Sequence, residues 1–162
     1  MIIVAVTDAN IFIDLMAMKL LKPFLSLDIT IWTSEEVLME LYPEDMEHLI
    51  SIGTVRIDKY DKNKRPTLKG ISRRFSSADK SLLELVSKLE GAKLLSGENR
   101  MRSWGKKQGI EVHGIIWVLD FMIEHGRITS IQAAAHLSTL LTLNYWLPQK
   151  ICLDKIDKWR VK

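Results

Sequence analysis

Asp8, Glu40, Asp79 and Glu98 are the residues of this chain whose types and placement could do chemistry. Asp8 stands where the apolar run Ile2 to Val6 gives out, and Glu98 follows a second such run, Ala92 to Leu95. Asp79 falls in the first turn of a helix that Ser77 is expected to cap. Glu40 falls about two turns into a helix leaving a third run, Ile29 to Trp32. If the strands are parallel and the helices pack back on the sheet, the four carboxylates converge at one edge. Converging carboxylates raise one another's pKa, so they need a cation to stay ionised together. Oxygen ligands without cysteine or paired histidine favour Mg²⁺ or Mn²⁺ over zinc. Such an ion acidifies water and neutralises charge on a phosphate, which suffices to hydrolyse a phosphodiester without a covalent intermediate. Each acid alone has a plainer role: a helix cap, a first-turn charge, a solvated helix residue, a turn residue. Their recurrence at strand exits and near helix starts is what suggests a site.

The elements that must position these acids follow from hydrophobic period. Ile2 to Val6 is a continuous, mostly β-branched run, as expected of a strand buried on both faces. Ile11, Phe12, Leu15 and Met16 follow Asp8 at helical spacing. After Ile29 to Trp32, Thr33 and Ser34 offer caps and Glu35 and Glu36 first-turn acids, and Pro43 is expected to stop that helix. A helix from about Asp45 to Ile50 and a strand over Thr54 to Ile57 come next. Lys59 to Arg74 is polar and basic, with Pro66 and Gly70 as breakers. Leu82, Leu83, Leu85, Val86 and Leu89 then mark a strongly periodic helix, ended by Gly91. Ala92 to Leu95 reads as a strand, Arg100 to Lys107 as a helix, and Ile110 to Val112 as a short strand. Helices from about His113 to Glu124 and Thr129 to Leu141 follow, with a last amphipathic stretch from Pro148 to Trp159. Short apolar strands alternating with helices predict a parallel sheet covered on both faces, with ligands beyond the carboxyl ends of its strands.

Four motifs in order resemble the PIN-domain nucleases. Val4-Ala5-Val6-Thr7-Asp8-Ala9-Asn10-Ile11-Phe12-Ile13 resembles the family's opening, a strand followed by Asp-x-Asn and an apolar helix start. Thr33-Ser34 through Glu40-Leu41 is similar to the second motif, and Ser77-Ala78-Asp79-Lys80-Ser81-Leu82-Leu83-Glu84-Leu85 to the third. Ala92 through Arg102 is similar to the fourth, and Gly109-Ile110-Glu111-Val112-His113-Gly114 to the strand that closes the sheet. The resemblance runs to about Gly126, and the helical tail is similar to that of VapC-type toxin ribonucleases. It implies an α/β fold, a three-layer α/β/α sandwich around a central parallel sheet, PIN-like over residues 1–162 with a helical tail from about 127. It further implies an Mg²⁺- or Mn²⁺-dependent endoribonuclease acting on single-stranded or structured RNA, paired with a small antitoxin in a type II toxin–antitoxin system. Carried over by position, Asp8, Glu40 and Asp79 match the metal-site acids, with Asn10 in support. The fourth motif departs from the family's Thr-x-Asp, since Ser96 keeps a hydroxyl and Glu98 carries the charge on a longer arm.

The chain has 162 residues, 47% hydrophobic and 27% charged, which fits one globular domain and excludes a disordered or fibrous class. No apolar run approaches the roughly 20 residues of a membrane span. One cysteine, Cys152, excludes an internal disulfide and fits a cytoplasmic location, where it is expected to be a packing residue. A net charge of +3 permits a nucleic-acid partner without requiring one. Lys62, Lys64, Arg65, Arg73 and Arg74, just before Asp79, are the candidate RNA contacts. His48, His113, His125 and His136 lack ligand spacing. Trp32, Trp117 and Trp146 are expected in a core or interface; Trp104 and Trp159 are expected to pack with a polar tip exposed, the alternative being to stack on a base. The Leu- and Trp-rich tail suggests a packed cap, a homodimer face or an antitoxin surface. Two other readings compete. One is a catalytically weak member of the same fold that binds RNA or protein. The other is a doubly wound phosphotransferase or receiver, which would need an acid pair and a late-strand lysine that this chain lacks.

Overall fold

Ile3–Thr7 forms the central strand β1 of a computed structural model of the chain, which describes residues 3–59, 63, 71 and 73–161. Lys62, Lys64 and Arg65 lie outside those residues. β1 pairs in parallel with β2 (Ile29–Ser34) on one side and β4 (Lys93–Leu95) on the other, with Val6 opposite Trp32 and Leu94. β3 (Val55–Asp58) and the two-residue β5 (Val112–His113) complete a five-stranded, all-parallel sheet in the order β3-β2-β1-β4-β5. This is the PIN-like α/β architecture the motifs imply. A strand hydrogen-bonded on both edges and covered on both faces is satisfied by an unbroken apolar run, which β1 supplies. From β1 the order runs to β2 on one side and to β4 on the other. The carboxyl ends of β1 and β4 therefore flank a topological switch point.

The first unit comprises residues 1–11 and 28–114. Its helices are α3 (Glu35–Leu38), α4 (Pro43–Ile52), α5 (Ser77–Lys88) and α6 (Asn99–Gln108). Several local expectations change here. The helix after β2 is a single turn, and the N–H groups of Glu40 and Leu41 bond three residues back to Val37 and Leu38. Glu40 thus sits in a tightened turn beyond α3, not two turns into a helix. The cause lies at Tyr42-Pro43: the residue before proline is pushed to extended backbone (φ −60°, ψ 146°), and Pro43 opens α4 as well as ending what precedes it. The cap of α5 is Ser76, not Ser77, because only Ser76 stands three residues before Asp79 and can close a capping box with it. The same helix ends at Lys88, with Leu89 extended and Gly91 in the following turn at φ 71°. α6 lies close on β5. A Cβ added at Gly105 would meet Val112 Cγ2 and come within 2.8 Å of the Ile110 carbonyl oxygen.

The second unit comprises residues 12–27 and 115–162. It holds most of α1 (Ala9–Ala17), the short α2 (Leu21–Leu25), α7 (Ile115–Glu124), α8 (Ser130–Leu143) and α9 (Gln149–Arg160). α8 opens with a Thr129–Gln132 capping box and packs along α9, where Ala133, Ala134 and Leu137 lie buried as do Cys152, Ile156 and Trp159. Asp120 on α7 accepts from Trp159 Nε1 at 3.0 Å and from Lys155 Nζ at 2.6 Å. Arg127 donates to the Ser26 carbonyl at 2.9 Å, and Asn144 donates to Asp14 Oδ1 at 2.9 Å, so residues 12–27 are tied to the C-terminal helices. Trp159 and Trp104 are both buried, which corrects the expectation of an exposed polar tip and removes them as platforms for a base. Basic residues flank them in sequence, and Lys155 Nζ lies over the Trp159 ring, 5.5 Å from its centroid. Trp146, by contrast, is 96% exposed, beside an exposed Tyr145. No helix of the described residues is long and apolar enough to cross a membrane.

Candidate active site

Asp8 is where strand and helix meet. Its backbone N–H continues the ladder by donating to the Leu95 carbonyl at 3.0 Å, and the next residue starts α1. The side chain is buried, and both of its oxygens are held. Oδ1 accepts the Ala9 N–H at 2.6 Å and Oδ2 accepts the Ser96 hydroxyl at 2.9 Å. Ser96 in turn accepts the Glu98 N–H at 3.2 Å, so one buried hydroxyl joins the exits of β1 and β4. Around Asp8 the balance is unfavourable to charge. Burial pushes its carboxyl up to about 7; the Ser96 bond opposes this, Glu98 and Asp79 add to it, and the Ala9 N–H opposes it.

Asp79 is N3 of α5, where its Oδ2 accepts the Ser76 N–H at 3.0 Å while its own N–H donates to Ser76 Oγ at 3.1 Å. The capping box that fixes the helix start thereby fixes this carboxylate. Ser81, two residues further, donates to the Ala78 carbonyl at 2.6 Å and lies 2.6 Å from Ser34 Oγ. Ser34 is also the cap of α3, accepting the Val37 N–H at 3.1 Å. Ser34 and Ser81 thus set the start of α5 against the turn that carries Glu40. Glu40 is exposed, and its pKa is raised by partial burial, then by Asp79 and Glu98. Glu98 occupies the cap position of α6 but makes no side-chain capping bond.

The structure therefore brings Asp8, Glu40, Asp79 and Glu98 into one electrostatic cluster at the carboxyl ends of β1 and β4, with Ser96 inside it. Asn10 is exposed on the first turn of α1. Of the candidate RNA contacts that are described, Arg73 and Arg74 are both exposed, just before the cap of α5. One participant was missed by sequence reasoning. Arg100 Nη2 lies 3.2 Å from Glu98 Oε2 and 3.7 Å from Asp79 Oδ2, and Nη1 donates to the Arg74 carbonyl. Its guanidinium also lies over the Phe75 ring, 5.7 Å from the centroid. Nothing in its spacing marks it, because the Asp79 contact depends on β4 lying near the start of α5.

A PIN-domain family description matches residues 4–160, nearly the whole chain. The chain belongs to the PIN domain family. Among solved structures, a PilT N-terminus domain protein from the hyperthermophilic archaeon Sulfolobus solfataricus P2 is similar to it. The two share 13% identity over 76% of this chain and 96% of that one, at a TM-score of 0.52, a likeness of fold alone. No curated protein matches the sequence. PIN domains are commonly nucleases and generally use divalent metal ions.

The residues of this PIN domain fit such an ion in kind. They are hard carboxylate oxygens around a buried aspartate whose neighbours make it costly to ionise alone. Among the described residues, however, no three acidic, histidine or cysteine side chains stand in ligating geometry. Arg100 carries a positive charge close to both Asp79 and Glu98.

Proposed function

We propose that this PIN domain is a divalent-metal-dependent endoribonuclease that hydrolyses RNA phosphodiester bonds. One observation carries the reading: a buried aspartate at the switch point, fixed through both oxygens, interacts with Asp79 and Glu98 from separate elements, and Glu40 interacts with the same two acids. Asp8, Asp79 and Glu98 are the residues that would hold Mg²⁺ or Mn²⁺. When bound, the ion supplies a Lewis acid that acidifies water and neutralises charge on a phosphate. The remaining roles belong to the protein. Ser96 and the Ala9 N–H keep the Asp8 carboxylate from rotating. Ser76 does the same for Asp79. Glu40, on the solvent side with a raised pKa, is a stronger base than an isolated glutamate and is suited to accept a proton at the mouth of the site. Arg73 and Arg74 are placed to draw in a phosphate backbone.

The test is cleavage of a single-stranded RNA of mixed sequence with Mg²⁺, with Mn²⁺ and in EDTA. Cleavage that needs a metal and disappears in Asp8→Asn supports the reading; cleavage that survives Asp8→Asn assigns it to another site. The motif resemblance extends the proposal to the toxin of a type II pair, which predicts growth arrest on expression and rescue by a small neighbouring gene product. A second reading, a catalytically silent binding module, is favoured by Arg100, which already compensates Asp79 and Glu98. Absence of cleavage with either metal, alongside retained RNA binding, would select it.

A further inference from the structure

We propose that Arg100 is the resident counter-ion of the acid cluster, and that a divalent cation enters only by displacing its guanidinium. The proposal rests on the metal-dependent reading above. Arg100 is anchored at four points: the Glu98 carboxylate, the Asp79 carboxylate, the Arg74 carbonyl and the face of Phe75. The two acids it bridges come from different elements, the cap of α6 and the first turn of α5. Both are residues that would hold the ion, and Arg100 stands close to an oxygen of each, Asp79 Oδ2 and Glu98 Oε2. A guanidinium this close to both oxygens and a divalent ion beside them would repel each other as like charges.

The anchoring is also easy to release. The Arg100 side chain is half exposed, and exposed ion pairs contribute little individually. Glu98 explains how the pair forms at all. It is free of capping duty, and its extra methylene carries the carboxylate out to the arginine two residues on. In this chain the longer acid positions the arginine: Arg100 supplies one positive charge beside Asp79 and Glu98 when no ion is present, and the exchange returns a free guanidinium to the mouth of the site.

The experiment measures Mn²⁺ affinity of the full chain at fixed pH, following free Mn²⁺ by electron paramagnetic resonance, for wild type, Arg100→Gln and Arg100→Lys. Removing a unit charge from beside the incoming ion should tighten binding on the order of tenfold in Arg100→Gln. Arg100→Lys, which keeps the charge, should stay within about threefold of wild type. A second readout needs no variant beyond the one that assigns the signal. Saturating wild type with Mg²⁺ should shift the Arg100 Nε–Hε resonance, identified by its loss in Arg100→Gln. Equal or weaker Mn²⁺ binding in Arg100→Gln, or a resonance unmoved at Mg²⁺ saturation, overturns the exchange. If neither wild type nor Arg100→Gln takes up Mn²⁺, the exchange and the metal-dependent reading fall together. If both bind alike and cleave RNA, only the exchange falls.

Discussion

Replacing Asp8 by Asn should make the metal-free protein more stable, and by an amount that grows with pH. The Asp8 carboxyl is raised from its ordinary value of 3.8 to about 7, chiefly by burial. Below pH 4 the folded and unfolded chains both hold this proton. Between pH 4 and 7 the unfolded chain has released it and the folded chain has not, so the folded state binds more protons and stability falls as pH rises. Above pH 7 the loss is complete. At about 1.4 kcal/mol per tenfold change in proton affinity, it amounts to about 4 kcal/mol. Asparagine avoids that loss and can still accept the Ala9 N–H, but it leaves the Ser96 proton without its carboxylate, a cost of roughly 1 kcal/mol. The net gain at pH 8 is therefore about 3 kcal/mol, or roughly 6–12 °C in Tm for a chain of this size. Thermal unfolding of both proteins in EDTA at pH 4, 6 and 8 reads it directly. A gap that stays constant across that range, or a less stable variant at pH 8, would refute the burial argument.

Three further outcomes follow from the same geometry. Ser76→Ala removes the hydroxyl that accepts the Asp79 N–H and should cost about 1 kcal/mol in urea unfolding, while the Ser76 N–H that holds the Asp79 carboxylate is kept, so RNA cleavage by the folded protein should be largely retained. Glu98→Asp shortens the arm that reaches Arg100 and restores the family's usual acid; the Mg²⁺-dependent cleavage rate should rise relative to that with Mn²⁺, as a side-by-side assay will read. Arg73→Ala combined with Arg74→Ala should flatten the dependence of RNA affinity on salt by roughly one to two in log–log slope, provided both contact phosphates.

Which parts of this were legible in the sequence follows from whether the causes are local. The exits of β1 and β4 were readable because a central parallel strand leaves an uninterrupted apolar run, and Asp8 and Glu98 interrupt two of them. Ser76 was readable too, since a serine three residues before Asp79 is a capping-box signal, but the adjacent Ser77 obscured it. The turn at Glu40 was harder. Val37, Leu38 and Leu41 keep helical spacing through it, and only the extended backbone demanded ahead of Pro43 shows that the helix has ended. Arg100, Ser34 and Ser81 act through contacts across 21 to 47 residues, and such pairs are created by strand order rather than by spacing. Burial of Trp104 and Trp159 was obscured for a different reason: a basic neighbour can itself lie over a buried ring, as Lys155 does over Trp159, so local charge says little about exposure.

The interleaving of the two units has a consequence for how the chain is made. The chain passes between them three times, at 11–12, 27–28 and 114–115. Residues 12–27, with the buried Phe12, Leu15, Leu21 and Phe24, emerge from the ribosome early but belong with helices that begin at Ile115. The 87 residues from 28 to 114 must be synthesised in between. At about 5–20 residues per second, that is a wait of roughly 4–17 s for a strongly apolar segment. Asp8, Glu40, Asp79, Ser96, Glu98 and Arg100 all precede Ile115 and lie in the first unit. Every residue of the acid cluster, with the arginine that pairs with Asp79 and Glu98, has therefore been translated before the C-terminal helices of the second unit begin.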